Sequence, residues 1–261
     1  MTRRRPALSK PSPGWQRDLP EPSAAFERDI HADVQPILNA IDDTYLEISR
    51  RSAKMRGLMF VYFLIGVGFF LFLMPDLATL KRMWSLGLVR TARALAPTCS
   101  FAAIALLCLR IDTAIPRDEP IRFNRLRRKV YVYSFRIIWW NPFGRWYVTT
   151  KTYNWGDLRA ELWRQRGFTP QGGLLITWGV SIAVVKPGTN EVIDRFPLSV
   201  GQDEGSSWDY VRAYMQLGPQ ALPPVEELHD PNEVPPLNLA LRLAPKVQWP
   251  AEMDAESRSA G

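Results

Sequence analysis

Two uncharged stretches dominate the pattern of hydrophobic and polar positions along the chain. The first, 57–74, has 18 residues, and the second, 94–109, has 16 and is bounded by Arg93 and Arg110. At about 1.5 Å per residue the first would form a helix of roughly 27 Å, close to the ~30 Å hydrocarbon thickness of a bilayer. We therefore predict a two-helix transmembrane hairpin over 57–110, although the shorter second stretch also fits a buried core helix.

The two stretches differ in side-chain size, since the first is bulky and aromatic and the second is small and slightly polar. Small residues let helix backbones approach closely, so we predict that the hairpin packs through Gly66, Ala96, Ser100 and Ala103. Neither stretch contains a charged residue or a histidine. That composition argues against a channel or a transporter.

Basic residues around the stretches predict their orientation. The flanking segments 50–56 and 110–129 carry eleven Lys and Arg residues, whereas the connection 76–93 carries four. Loops that remain in the cytoplasm carry the excess of Lys and Arg. We therefore predict a multi-pass protein of the bacterial inner membrane with both termini in the cytoplasm.

The segment before the hairpin divides into two parts. Residues 1–29 are rich in proline and poor in apolar side chains, which predicts disorder. Across 30–56, apolar residues recur at helical spacing and predict an amphipathic helix centred on 34–55. Its apolar stripe needs a partner, which is the chain's own domain, the membrane surface or a second copy in a homo-oligomer.

Behind the hairpin the periodicity changes to two. Alternating runs within 121–152 and a hairpin over 174–198 predict a β-rich cytoplasmic domain at 117–220. Helical spacing predicts a helix over 153–167 and a closing amphipathic helix that ends at Gly218. The expected fold class is an α+β membrane protein: a two-helix transmembrane hairpin followed by a small β-sandwich or pleckstrin-homology-like domain closed by an amphipathic helix.

Charge is distributed unevenly within the net value of +7. Residues 117–201 carry 14 basic and 6 acidic side chains, whereas 202–261 carry 4 and 10. A basic body beside an anionic inner leaflet is typical of a membrane-proximal domain, and an ordinary solvated surface explains the counts equally well. The proline-rich, acidic segment 221–261 is predicted to be a loose tail.

A basic turn at 125–129 follows the second stretch closely and lies beside Tyr131 and Tyr133. Such a cluster is compatible with nucleic acid, phosphoinositide-like head groups or simple positive-inside sorting. Its nearness to 94–109 favours the membrane over nucleic acid, which we do not expect as a partner. The predicted contacts with membrane phosphate are Arg122, Arg125, Arg127, Arg128 and Lys129.

The chain offers little for catalysis. His31 and His229 are its two histidines, and neither lies where an oriented general base is expected. Both cysteines, Cys99 and Cys108, lie in the second stretch, so His and Cys are too few elsewhere for a zinc site. We therefore predict a protein that is not an enzyme and that uses no cofactor or metal.

Tryptophan is unusually frequent between 139 and 208, with seven residues. A small sandwich cannot bury all of them, and exposed tryptophans are strong anchors in protein interfaces. The predicted partner contacts are Trp139, Trp140, Trp146 and Trp163.

Four segments, 122–133, 153–163, 183–198 and 208–223, resemble a family of uncharacterised proteobacterial membrane proteins with a domain of unknown function. Members of that family are often encoded near type VI secretion effectors. The resemblance implies no catalytic activity or catalytic residue. It implies an immunity or accessory protein whose partner is a cognate toxin. Two alternatives stay open, an inner-leaflet lipid-binding or assembly module and, less favoured, a membrane-bound enzyme.

Overall fold

The computed structural model describes residues 5–25, 36–50, 56–85, 87–138, 141, 144–168, 173–199, 203–225 and 227–260. Those ranges contain nine β-strands in two antiparallel sheets and six α-helices. The strands are β1 (Trp15–Asp18), β2 (Leu38–Ile41), β3 (Tyr45–Ile48), β4 (Ile121–Asn124), β5 (Lys129–Arg136), β6 (Tyr147–Asn154), β7 (Leu158–Phe168), β8 (Leu174–Val185) and β9 (Val192–Pro197). The helices are α1 (Leu58–Leu73), α2 (Leu77–Ser85), α3 (Leu88–Ala114), α4 (Ser206–Leu217), α5 (Leu239–Leu243) and α6 (Ala251–Arg258).

The two sheets share one hydrophobic core. One sheet has the order β1-β7-β8-β9 and the other β2-β3-β4-β5-β6. Apolar side chains of both sheets meet in this core, which α4 closes with Trp208 and Tyr214. The Trp208 ring lies 5.1 Å from that of Trp155, and both side chains are fully buried. Truncation of such a residue to alanine typically costs about 3–5 kcal/mol.

Helices α1 to α3 form an insertion between two neighbouring strands. β3 and β4 pair antiparallel, with Tyr45 opposite Asn124 and Ile48 opposite Ile121. The chain therefore leaves the five-stranded sheet at Ile48 and returns to it at Ile121, at one end of the same strand pair. We name this the helix end, and the opposite end, at Tyr45 and Asn124, the turn end.

Helices α1 and α3 pack antiparallel, as the ring of Phe69 against that of Phe101 shows at 5.5 Å. Within the described residues, α3 is the one single helix long and apolar enough to cross a membrane. With 16 residues, α1 reaches that length only together with α2, from which it is bent by 68°. The longer uncharged stretch thus forms the shorter helix, because α3 continues beyond its stretch at both ends.

Two segments predicted as helices are strands. In place of a helix over 34–55, β2 and β3 form a hairpin whose turn is held by Asp42, which accepts hydrogen bonds from the N–H groups of Thr44 and Tyr45. Residues 26–35 and 51–55 lie outside the described residues. In place of a helix over 153–167, the chain continues from β6 into β7. Apolar residues such as Leu158 and Leu162 fit both periods, and strand pairing decides between them.

The described parts of both terminal segments are packed, contrary to the prediction. Near the N-terminus, β1 pairs with β7 and places Trp15 opposite Trp163. Near the C-terminus, Arg117 donates hydrogen bonds to the carbonyls of Asn232 and Leu241. Proline content alone misleads here, because side chains from the sheet domain satisfy the carbonyl groups of the extended backbone.

Candidate membrane and partner surfaces

Helices α1 and α3 expose a continuous apolar surface. None of the α1 side chains is buried, and Phe72 is 84% exposed. On α3, Ile104 and Leu106 are more than half exposed. A helix that is hydrophobic all round belongs in a protein core or in a bilayer, and an apolar patch of this kind marks an interaction site. This surface is the candidate membrane-facing site.

The inner face of α3 follows a seven-residue repeat. Its buried members are Thr91, Thr98, Ala105 and Asp112, and a repeat of seven is the seam of two helices packed side by side. Thr91 lies beyond α1 and donates a hydrogen bond to the Met83 carbonyl of α2. On α1, Gly66 lies so close to this face that an added Cβ would stand 2.7 Å from the Cβ of Ala105. The other residues predicted for this packing, Ala96, Ser100 and Ala103, are exposed, so that part of the prediction is wrong.

A polar junction ties the start of α1 to the end of α3 at the helix end. The Asp112 carboxylate accepts hydrogen bonds from the N–H groups of Gly57 (3.1 Å) and Phe60 (2.8 Å), and so caps α1 from another helix. Arg56 lies 3.8 Å from the same carboxylate and donates to the carbonyls of Asp112 and Ile115. Sequence reasoning missed this junction, although an aspartate just beyond an apolar stretch was a visible signal.

The loop between β5 and β6 lies beside α3. The Arg110 guanidinium stacks 4.5 Å above the Trp146 ring and donates a hydrogen bond to the Gly144 carbonyl. On its other side, Trp146 meets the edge of the Phe135 ring at 6.2 Å. Trp146, predicted as a partner contact, is thus half-buried in contacts within the chain. Trp139 and Trp140 lie outside the described residues.

Strands β7 and β8 extend beyond their sheet as a two-stranded ribbon, 164–168 paired with 174–178. Leu174 and Leu175 are at least half exposed. The Arg164 guanidinium lies 6.0 Å from the ring of Trp178. Trp163, the remaining predicted contact, is half-buried at the base of the ribbon. Exposed leucines beside arginine and half-buried tryptophan are typical of protein interfaces, so the ribbon is the candidate partner surface.

The basic residues predicted to contact membrane phosphate are engaged within the chain. Arg122 is 3% exposed and pairs with Glu47 and, at 2.6 Å, with Asp254 of α6. Lys129 pairs with Glu256 of α6 at 2.6 Å. Burial acts to raise the pKa of Asp254. The hydrogen bond and the charge of Arg122 outweigh this effect and lower that pKa below its usual value. The hydrogen bond from Lys129 likewise lowers the pKa of Glu256.

The other three basic residues also bond to the protein at the turn end. Arg127 donates to Ser259, Arg128 to the carbonyl of Met215 and Arg125 to that of Asp43. Because β4 carries the chain roughly 10 Å away from the helix end, nearness to α3 in sequence is not nearness in space. The structure therefore places Arg125, Arg127, Arg128 and Lys129 away from α3 and bonded within the chain, and their contact with membrane phosphate stays a prediction.

A cleft of about 670 Å³ lies between the five-stranded sheet and the C-terminal segment. Its wall includes Tyr45, Arg122 and Trp249, and the Arg122 guanidinium lies 4.6 Å from the Trp249 ring. The imidazole of His229 lies 3.7 Å from the Glu233 carboxylate. The backbone N–H of His229 donates a hydrogen bond to the carbonyl of Leu38. Among the described residues, no group of three or more His, Cys, Asp or Glu side chains is placed to hold a metal ion.

One family model matches the chain: a family of unknown function, DUF6708, over residues 98–238. The match covers more than half of the chain. It begins within α3 and runs past α4, so the match includes the C-terminal part of α3 as well as β4 to β9. This agrees with the expected resemblance to uncharacterised proteins. Neither a curated protein nor a solved structure matches the chain.

Proposed function

We propose that this chain, which belongs to the DUF6708 family, is a membrane-anchored, non-catalytic protein-binding protein. One observation carries the anchoring: the apolar helices are inserted between β3 and β4, which are paired. A single crossing would leave the two strands on opposite sides of the bilayer, where they could not pair. If α3 crosses, the insertion must therefore cross an even number of times.

The helix lengths are compatible with two crossings. The 27 residues of α3 span about 40 Å, enough to cross with some tilt. The 16 residues of α1 span about 24 Å, a mismatch that local thinning of the bilayer accommodates. Beyond α1, α2 turns away by 68° and exposes 71% of Trp84, a residue type enriched at membrane interfaces. These features support a position of α2 along the membrane surface on the side opposite the sheets.

The compartment follows from the distribution of basic residues. Eleven Lys and Arg residues flank the insertion and four lie within 76–93. By the positive-inside rule, the sheets and both termini face the cytoplasm of a bacterial inner membrane. Two antiparallel sheets closed by α4 also fit the pleckstrin-homology-like arrangement expected from the sequence.

The resemblance to proteins encoded near type VI secretion effectors suggests the partner, a cognate toxin that the chain neutralises or accompanies. What supports protein binding is the ribbon of β7 and β8, with its exposed Leu174 and Leu175. A lipid-binding role for the basic turn has less support, because α6 and neighbouring carbonyls already bind these residues.

The test is co-purification in mild detergent with the products of adjacent toxin genes, together with growth rescue of cells that express those toxins. The double variant Leu174→Asp/Leu175→Asp should lose both activities, because charges cannot enter an apolar contact. The matched control Ile193→Asp, at a 61% exposed position on β9, should keep them. Failure of every adjacent toxin to bind would contradict the proposal.

A further inference from the structure

The hairpin of β5 and β6 reaches past the helix end of its sheet. Val132 stands opposite Ile121, the last residue of β4 at that end. Four more pairs, ending with Arg136 opposite Tyr147, continue the hairpin beyond this level. At about 3.3 Å per residue, the hairpin projects roughly 13 Å towards the side from which α3 enters.

The projecting part contacts α3 at a defined level. Arg110 is the first charged residue after the uncharged stretch 94–109, and its guanidinium binds both the Gly144 carbonyl and the face of Trp146. When α3 is inserted, an arginine at this position reaches the head groups while its stem stays on the apolar side. The loop bound to Arg110 is thereby held at the boundary between hydrocarbon and water.

The end of this hairpin exposes apolar and aromatic side chains. Ile137 is 47% exposed, Tyr147 48% and Val148 38%. They flank the loop that Arg110 of α3 binds, and Arg136 and Arg145 beside them are exposed and basic. Amphipathic aromatic residues next to arginine fit the head-group region of an anionic leaflet.

We propose that the hairpin of β5 and β6 is an interfacial membrane anchor that sets Ile137, Tyr147 and Val148 into the head-group boundary beside α3. The inference rests on the proposed insertion of α3. It assigns the hairpin to lipid, while the ribbon of β7 and β8 remains the partner surface. The sheet domain is thus held at a fixed distance and tilt by α1, α3 and this third contact.

The experiment uses the full chain in nanodiscs that contain anionic lipid, with Cys99→Ala and Cys108→Ala as background. A fluorophore is attached at Val148→Cys, at Ser100→Cys on α3 or at Ile193→Cys on β9, three exposed positions. Ser100 lies about 15 Å along α3 from Arg110 and serves as the deep reference. The fluorescence is then quenched by lipids that carry a spin label on the head group, near the start of the acyl chain or near its end. We call these the head-group, shallow and deep labels. Because interfacial segments lie roughly 5–10 Å into the boundary, we expect head-group and shallow labels to quench Val148→Cys at least about twofold more than Ile193→Cys.

The outcomes separate the two proposals. Quenching at Val148→Cys no greater than at Ile193→Cys, with deep quenching at Ser100→Cys, overturns the anchor and leaves the membrane insertion standing. No quenching at Ser100→Cys overturns both. As a second variant, Ile137→Asp/Val148→Asp with the fluorophore at Tyr147→Cys should lose the head-group quenching, while Ser100→Cys in the same background keeps its deep quenching.

Discussion

The two ends of the five-stranded sheet carry opposite kinds of surface. At the turn end, Arg125, Arg127, Arg128 and Lys129 follow Arg122 of β4, and each of the five donates to an acceptor within the chain. At the helix end, Arg56 and Arg110 also bind backbone carbonyls, but α1 and α3 expose apolar side chains there. The comparison indicates that accessible apolar area, rather than the density of charge, distinguishes the end that we propose to meet the bilayer.

The difference arises from what covers each end. The acidic C-terminal segment folds back over the turn end, and α6 supplies Asp254 and Glu256 as partners for Arg122 and Lys129. At the helix end, polar groups are directed inward, as in the capping of α1 by Asp112. Polar groups are thereby satisfied inside the junction, and its apolar surface is left outside.

The largest expected effect comes from the buried ion pair of Arg122 in β4, to which α6 is attached. Arg122→Met leaves Glu47 buried without its cation, and the loss of one partner from a buried ion pair costs about 3–5 kcal/mol. We expect a strong fall in the melting temperature in detergent, measured by tryptophan fluorescence. Arg122→Met with Glu47→Gln should recover part of the loss, because no unpaired charge is then buried. Equal loss in both variants would contradict the ion-pair explanation.

A somewhat smaller effect is expected at the helix end. Asp112→Ala removes the acceptor for two N–H groups of α1 and the carboxylate beside Arg56, at a cost of roughly 2–3 kcal/mol. The control Asp112→Asn keeps an acceptor oxygen and should lose less. Thermal unfolding in detergent, combined with proteolysis at the start of α1, measures both. If Asp112→Asn is as damaging as Asp112→Ala, charge rather than capping dominates at this junction.

Acidification should loosen α6 from the turn end. The folded-state pKa values of Asp254 and Glu256 lie below their ordinary values, so their stabilising contribution is present above the ordinary values and is lost as pH falls through the depressed ones. A spin label at Ala255→Cys, in the Cys99→Ala/Cys108→Ala background, should become more mobile between about pH 5 and pH 3. A label at Thr189→Cys is the control. With Lys129→Met, the change should begin at a higher pH, and an unchanged midpoint would contradict the role of this pair.

The smallest expected effect is on membrane binding, where changes at the turn end should have no consequence. The triple variant Arg125→Gln/Arg127→Gln/Arg128→Gln removes hydrogen bonds worth about 1 kcal/mol each, but no contact with lipid. Its affinity for anionic over neutral vesicles should therefore equal that of the unmodified chain in a flotation assay. Loss of the anionic preference would return the membrane contact to the basic turn.

Local patterns predicted some elements and missed their surroundings. The uncharged stretches correspond to α1 and α3, and the turn at 186–190 joins β8 to β9, because each depends on residues close in sequence. The hairpin of β2 and β3 was missed, because Leu38, Ile41, Tyr45 and Ile48 match helical spacing and only pairing with β4 shows otherwise. Arg122 illustrates the same limit, since its partners lie 75 and 132 residues away.

The most direct test of the account asks on which side of the membrane three positions lie. In the Cys99→Ala/Cys108→Ala background, single cysteines at Gln16, Trp84 and Thr189 are labelled with a membrane-impermeant maleimide in right-side-out and inverted vesicles. All three positions are exposed, and they lie before, within and after the insertion. We predict that Gln16→Cys and Thr189→Cys react in inverted vesicles and Trp84→Cys in right-side-out vesicles. Reaction of Trp84→Cys from the same side as the other two would contradict a hairpin that crosses and returns.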